Sequence, residues 1–250
     1  RYMFYLANSL KDLAGTQRYQ AEEQVRKIQS TLDDINKQFE HYPNITDQIE
    51  RMKTEQESLQ KEIGSMEEKL KRESISYYEK RIEAGGFWEE VWYSYYNMGK
   101  LHMDLGEIEK AVQCLQRSFI LYPQRVENLY EIVKYYRERS ENEMAVHFYL
   151  MGREAVRKHS CRDYLFIQRD VYDYKLDYEM SILGYYCNPT GLDMGRLCVE
   201  VLSQNGVEEH IAKNVMCNYK FYAEKLETYD SEFWKEGNMG KLLCALGNTT

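Results

Sequence analysis

Proline and glycine are scarce, with 3 Pro and 14 Gly in 250 residues. An all-β sandwich or barrel draws its many turns from those two residues, so that class is excluded. No apolar run approaches the roughly 18 residues of a membrane span, and no signal peptide is visible. The 33 Lys and Arg are outnumbered by 41 Asp and Glu, a net charge of −8. Neither a nucleic-acid footprint nor a basic membrane-surface patch fits that balance. The 6 Cys include no CxxC pair, and none of the 5 His has a His or Cys partner three or four residues away. Zinc fingers and thiol redox motifs need such spacings, so no metal or cofactor is expected. The nearest approach, His159 with Cys161, is an i, i+2 pair that points apart on a helix. Scattered Cys read as small buried hydrophobes in a reducing, cytoplasmic compartment. The sequons Asn44-Ile45-Thr46 and Asn248-Thr249-Thr250 would matter only in a secreted chain. The chain opens at Arg1 and stops at Thr250 without a terminating signal, so it reads as a piece of something longer.

Apolar residues make up 43% and charged residues 30%, enough for one large or two small helical domains. From Gln17 to Ser74 the only aromatics are Tyr19, Phe39 and Tyr42, in a chain with 23 Tyr, 8 Phe and 3 Trp. Ala21, Val25, Ile28, Leu32, Ile35, Phe39 and Tyr42 alternate spacings of four and three, a heptad seam. Pro43 stops that helix, and a second seam runs Ile45, Ile49, Met52, Gln56, Leu59, Ile63, Met66, Leu70. Two heptad helices joined by so short a tip lie antiparallel, and arms of roughly 27 residues would project about 40 Å. Residues 17–73 are therefore read as an inserted antiparallel coiled-coil hairpin, a candidate for oligomerisation. The seam phase runs from Leu70 to Tyr77, so the hairpin extends the helices that flank it rather than hanging from a linker.

In the aromatic-rich remainder, a shift of 34 residues pairs Tyr95 with Leu129, Met98 with Ile132, Gly99 with Val133, His102 with Tyr136, Ala111 with Ala145, Leu115 with Tyr149 and Ser118 with Gly152. That period resembles the tetratricopeptide repeat, whose spacing Tyr95, Met98, Gly99, His102, Gly106, Ala111, Leu115, Ser118 and Pro123 follow. The expected fold is all-α, a tetratricopeptide-like α-solenoid of helical hairpins. Its first repeat is split between 1–16 and 74–91, ending at Gly85-Gly86. The second spans 92–125 and the third 126–159. A divergent helical repeat with capping helices follows over 160–226, with helical patterns at about 170–186, 191–204 and 208–226. The tail 227–250 carries no clear pattern. Trp88 and Trp92, one turn apart, read as packing anchors.

The first helices of stacked repeats line a groove. There this chain places Tyr93, Tyr96, Asn97 and Lys100, then Glu127, Tyr130, Lys134 and Arg137, with Met103 beside them. Tyr, Lys and Arg combine contact area with hydrogen bonding, so the surface suits an extended protein segment; ordinary decoration of a helix face is the alternative. A clamp for a terminal carboxylate is disfavoured, because Glu127 and Glu131 stand where cations would be needed. Asp170, Asp173 and Asp177 share a helical face, yet Asp170 reads more simply as a helix cap. No Ser/His/Asp or Cys/His arrangement follows from spacing, and Gly85-Gly86 lacks a phosphate-loop context. No catalytic residue is assigned.

Longer strings are similar to the C-terminal tetratricopeptide region of family 2 type glycosyltransferases of bacteria and large DNA viruses. They are Arg1-Tyr2-Met3-Phe4-Tyr5-Leu6-Ala7-Asn8-Ser9, the run from Tyr78 through Gly85-Gly86-Phe87-Trp88 to Ser94, the segment Leu129 to Arg137, and Asp170-Val171-Tyr172-Asp173-Tyr174-Lys175. The resemblance covers most of 1–16 and 75–226 and leaves out the coiled coil. It implies a transferase domain upstream, with acidic residues holding a divalent metal. No Asp-x-Asp motif occurs in this chain, so no catalytic residue carries over. The expectation is a non-catalytic scaffold that docks a protein partner or its own upstream transferase domain. The alternative is a free-standing adaptor using groove and arm for different proteins.

Overall fold

The computed structural model describes residues 2–38, 43–158, 165–187 and 192–222, and every one of these stretches is helix or the turns between helices. Among the described residues there is no strand, and no helix is long and apolar enough to cross a membrane. The tip His41-Tyr42, the pair His159 and Cys161, the loop around Pro189 and the tail 227–250 lie outside the described residues. So do the side chains of Tyr2, Phe4, Tyr5, Leu6, Ala7 and Leu10. The chain divides into two compact units, Arg1–Ala111 and Val112–Thr250.

In the first unit, α1 (Tyr2–Gln38) packs along α2 (Pro43–Ala84), and α2 packs on α3 (Trp88–Asp104). Arg18 Nε of α1 lies 3.6 Å from Glu67 Oε1 of α2, and Leu32 and Ile49 are buried nearer the tip, so the first two helices run antiparallel. Both are uninterrupted across Gln17 and Glu73, where the composition changes. Packing sorts the heptad residues of α2 into two columns. Ile49 is buried and Gln56, Ile63 and Leu70 are half-buried, whereas Met52, Leu59 and Met66 are exposed. A lone pair of helices covers one column and leaves the next on the surface. The helix ends at Ala84 because Gly85 and Gly86 take φ values of 59° and 95°, open to residues without a Cβ. Arg81, itself buried, donates to Glu90 Oε2 from Nε at 2.9 Å and from Nη2 at 2.5 Å, and its Nη1 donates to the Gly85 carbonyl. This clamp fixes the corner between α2 and α3.

In the second unit, α4 (Ile108–Leu121), whose first residues belong to the first unit, is followed by α5 (Glu127–Glu138) and α6 (Asn142–Lys158). A π-helical turn, Val171–Lys175, then leads into α7 (Leu176–Tyr186), with α8 (Met194–Ser203) and α9 (Glu209–Tyr219) beyond it. Asn128 Nδ2 donates to Ser118 Oγ at 2.8 Å, tying the start of α5 to α4. Val126, Ala155 and Val171 form one core cluster. Tyr174, Cys198, Val199, Val201, Leu202, Ile211, Val215 and Tyr219 form another, joining α8 and α9 to the π-turn. At Gly184 an added Cβ would stand 2.4 Å from Met194 Cε, so the buried Met194 side chain would have to shift to admit one.

Each unit contains a turn of the same construction, and the two are 34 positions apart in sequence. The Gly106 N–H bonds the Met103 carbonyl at 3.0 Å and the Glu107 N–H bonds His102 O at 2.9 Å; Ser140 to Arg137 and Glu141 to Tyr136 repeat these bonds at 2.9 Å each. Gly106 and Ser140 both take positive φ, 74° and 61°. This is a Schellman motif, in which a left-handed residue closes the preceding helix. The next helix begins two residues later in both cases, at Ile108 and Asn142.

Trp92 is the buried anchor of α3, at 1% exposure, but Trp88 is 41% exposed. The sequence expectation of two anchors is corrected here. Trp88 is the first residue of α3, at the corner turned by the two glycines, and its ring meets Phe87 at 6.1 Å.

Candidate functional site

On α3, an i, i+4 spacing stacks Trp92 on Tyr96, with centroids 5.3 Å apart and planes 9° from parallel, and sets Lys100 Nζ 5.3 Å from the Tyr96 ring centroid. Tyr93 joins this ladder at 6.2 Å from Tyr96. Asn97 Nδ2 turns back to donate to the Tyr93 carbonyl at 2.8 Å. Of the four residues singled out on this helix, Tyr96 and Asn97 are buried, whereas Tyr93 and Lys100 are half-buried and reach the surface.

On α5 the polar residues are engaged by the segment that follows α6. Arg125 and Glu127 are both fully buried; Nη2 donates to Oε1 at 2.7 Å and Nε to Oε2 at 3.2 Å. The guanidinium also donates to the carbonyls of Leu165 and Phe166, each at 3.0 Å. The carboxylate accepts from Tyr172 Oη at 2.6 Å and from Gln168 N at 3.3 Å, and Tyr172 Oη accepts in turn from Val126 N at 3.2 Å. Every bond that a bidentate pair needs to remain buried is thus supplied. The groove residue Glu127 is spent on this clamp and does not face a partner.

Tyr130 packs against Val126, Ala155 and Val171, and burial beside the negative Glu179 pushes its hydroxyl pKa up. Arg137 Nε donates to Glu179, a buried carboxylate whose pKa is raised by burial against the opposing pull of Arg137. Lys134 alone among the four α5 positions is exposed. Lys175 is held between Asp170 at 2.6 Å and Glu208 at 2.9 Å, and the two carboxylates raise its pKa although burial pulls the other way.

The three aspartates do not converge. Asp170 caps the π-turn by accepting from Val171 N at 3.0 Å and pairs with Lys175, Asp177 accepts from Tyr149 Oη at 2.7 Å, and Asp173 faces solvent. The wider winding of the π-turn breaks the i, i+3, i+7 phase that an α-helix would have kept. Among the described residues, no group of three His, Cys, Asp or Glu is arranged to hold a metal ion. Sequence reasoning missed Arg125, Tyr172 and Glu179. Arg125 and Glu127, two residues apart before a helix, carry no signal of burial until the segment 165–172 covers them.

No family model and no curated protein matches the chain. Of the groove candidates, Lys134 is exposed and Tyr93, Lys100, Tyr130 and Arg137 are half-buried.

Proposed function

We propose that this chain is a non-catalytic scaffold of tetratricopeptide type, the repeat region of a glycosyltransferase-like protein whose transferase domain lies upstream of Arg1. In this reading α1 and α2 are the split first repeat, drawn out into an antiparallel coiled-coil arm for assembly. The helix pairs α3–α4 and α5–α6 are the second and third repeats, and the π-turn with α7 to α9 closes the end. In this reading the protein works in the cytoplasm and holds either its own transferase domain or a protein partner, with Tyr93 and Lys100 as contact residues in the first unit and Lys134 in the second, each unit taken by itself.

The observation that carries this reading is the pair of Schellman turns 34 positions apart, with Ala111 and Ala145 buried at equivalent places in the helices that follow. Small residues there let paired helices approach closely. Recurrence of backbone hydrogen bonds at the sequence period is what a duplicated structural unit would leave behind. The glycosyltransferase connection rests on the sequence strings. Its test is to extend the reading frame upstream of Arg1 and assay nucleotide-sugar turnover. Turnover by the longer product and none by the 250-residue chain is expected. An upstream frame without a transferase domain, or turnover by this chain alone, would overturn the reading.

A further inference from the structure

At the base of the helical hairpin, where α1, α2 and α3 meet within the first unit, lies a cavity of about 150 Å³. Two ion pairs form its walls: Arg18 Nε to Glu67 Oε1 and Lys71 Nζ to Asp104 Oδ2, each at 3.6 Å. Both are longer than the 2.7–2.9 Å of a charge-assisted hydrogen bond; Arg18 Nε itself donates to Glu22 Oε1 at 2.7 Å, so it is the two Nη groups of Arg18, with Lys71 Nζ, that keep bonding capacity toward the cavity. Ser74 also lines the cavity at 1% exposure, and its buried hydroxyl has no hydrogen-bond partner. Helical serines ordinarily satisfy themselves on a carbonyl of the preceding turn, and an orphan hydroxyl costs stability. On the fourth side Gly15 leaves the space open, with no atom within 4 Å of where its Cβ would be.

We propose that this cavity binds a small zwitterion of the α-amino-acid class. Its carboxylate takes bonds from Arg18 and Lys71, its ammonium donates to Glu67 and Asp104, and the Ser74 hydroxyl is satisfied by the ligand. A lone anion would meet two carboxylates and a lone cation two basic groups, whereas a zwitterion matches both pairs and leaves the net charge of the site unchanged.

The test titrates the full chain in phosphate buffer with glycine, and separately with acetate and with methylammonium, reading the amide resonances of Gly15 and Ser74. Glycine should shift both with half-saturation at about 1 mM, in keeping with a ligand of five non-hydrogen atoms. Acetate and methylammonium should bind at least tenfold more weakly. Gly15→Leu, which fills the cavity and favours the helix, should abolish the response with helicity unchanged. Should that variant fail to fold, Ser74→Ala serves instead, with roughly five- to tenfold weaker binding for one lost hydrogen bond. No glycine response, equal binding of the single-charge probes, or binding that survives both substitutions would overturn the proposal and leave the cavity a water site.

Discussion

Replacing Glu127 by Gln tests the clamp that joins α5 to the segment 165–172. The substitution keeps the side-chain shape but removes the charge opposite a fully buried guanidinium that also bonds the carbonyls of Leu165 and Phe166. Breaking one member of a buried pair costs about 3–5 kcal/mol, because the surviving charge is left without compensation. For a unit of this size that corresponds to roughly 10–15 °C in Tm. Arg125→Met should cost a similar amount by stranding Glu127. The double substitution should cost less than the sum of the two, with a coupling energy of about 2–3 kcal/mol. Urea unfolding followed by far-UV circular dichroism gives the stability differences, and amide exchange over 127–138 and 165–175 localises them. A loss below 1 kcal/mol for Glu127→Gln, or simple additivity in the cycle, would refute the reasoning.

Three further outcomes follow from particular contacts. Gly106→Ser should destabilise by about 1–2 kcal/mol through its left-handed backbone, while Ser140→Gly should stabilise by up to about 1 kcal/mol; urea midpoints of opposite sign check this. Gly184→Ala should cost about 1–2 kcal/mol despite better helix propensity, because the new methyl meets the side chain of buried Met194; thermal melts that show stabilisation would contradict it. The Glu107 carboxyl, bonded by Arg72, Lys110 and His102, is held down to about 2 from the ordinary 4.5. Its folded value lies below its unfolded one, so its stabilising effect is complete above about pH 4.5 and is lost as pH falls toward 2. A carbon NMR titration midpoint near 2 is expected, and one near 4.5 would remove the basis for this.

Helix boundaries were legible where backbone chemistry is local. Gly85-Gly86 ends α2, Gly106 closes α3, and Pro123 follows the end of α4. Ser140 escaped notice because nothing in a serine announces a left-handed conformation, although the 34-residue shift from Gly106 points straight at it. The heptad spacing located the long helices, but it could not separate the column of α2 around Ile49 from the exposed column of Met52, Leu59 and Met66, since that depends on how many helices are present to cover it. On the groove, side-chain type was a poor guide to exposure. Glu127 and Arg137 read as contact residues in a linear list, yet Arg125 and Glu179, distant or unremarkable in sequence, occupy them. Charge burial is a tertiary property and carries no local signature.

The proposed scaffold reading takes α3–α4 and α5–α6 as copies of one 34-residue unit. In a repeat array each unit depends mainly on its neighbours, so an added unit in phase extends the structure. Duplicating Glu107–Ser140 in tandem, from one Schellman turn to the next, tests this against an out-of-phase insertion of half that length. The account predicts a cooperative chain whose helicity rises by one more pair of helices, and a destabilised product from the half-length insertion. An in-phase duplicate that adds no helicity, or that unfolds as readily as the out-of-phase control, would contradict it.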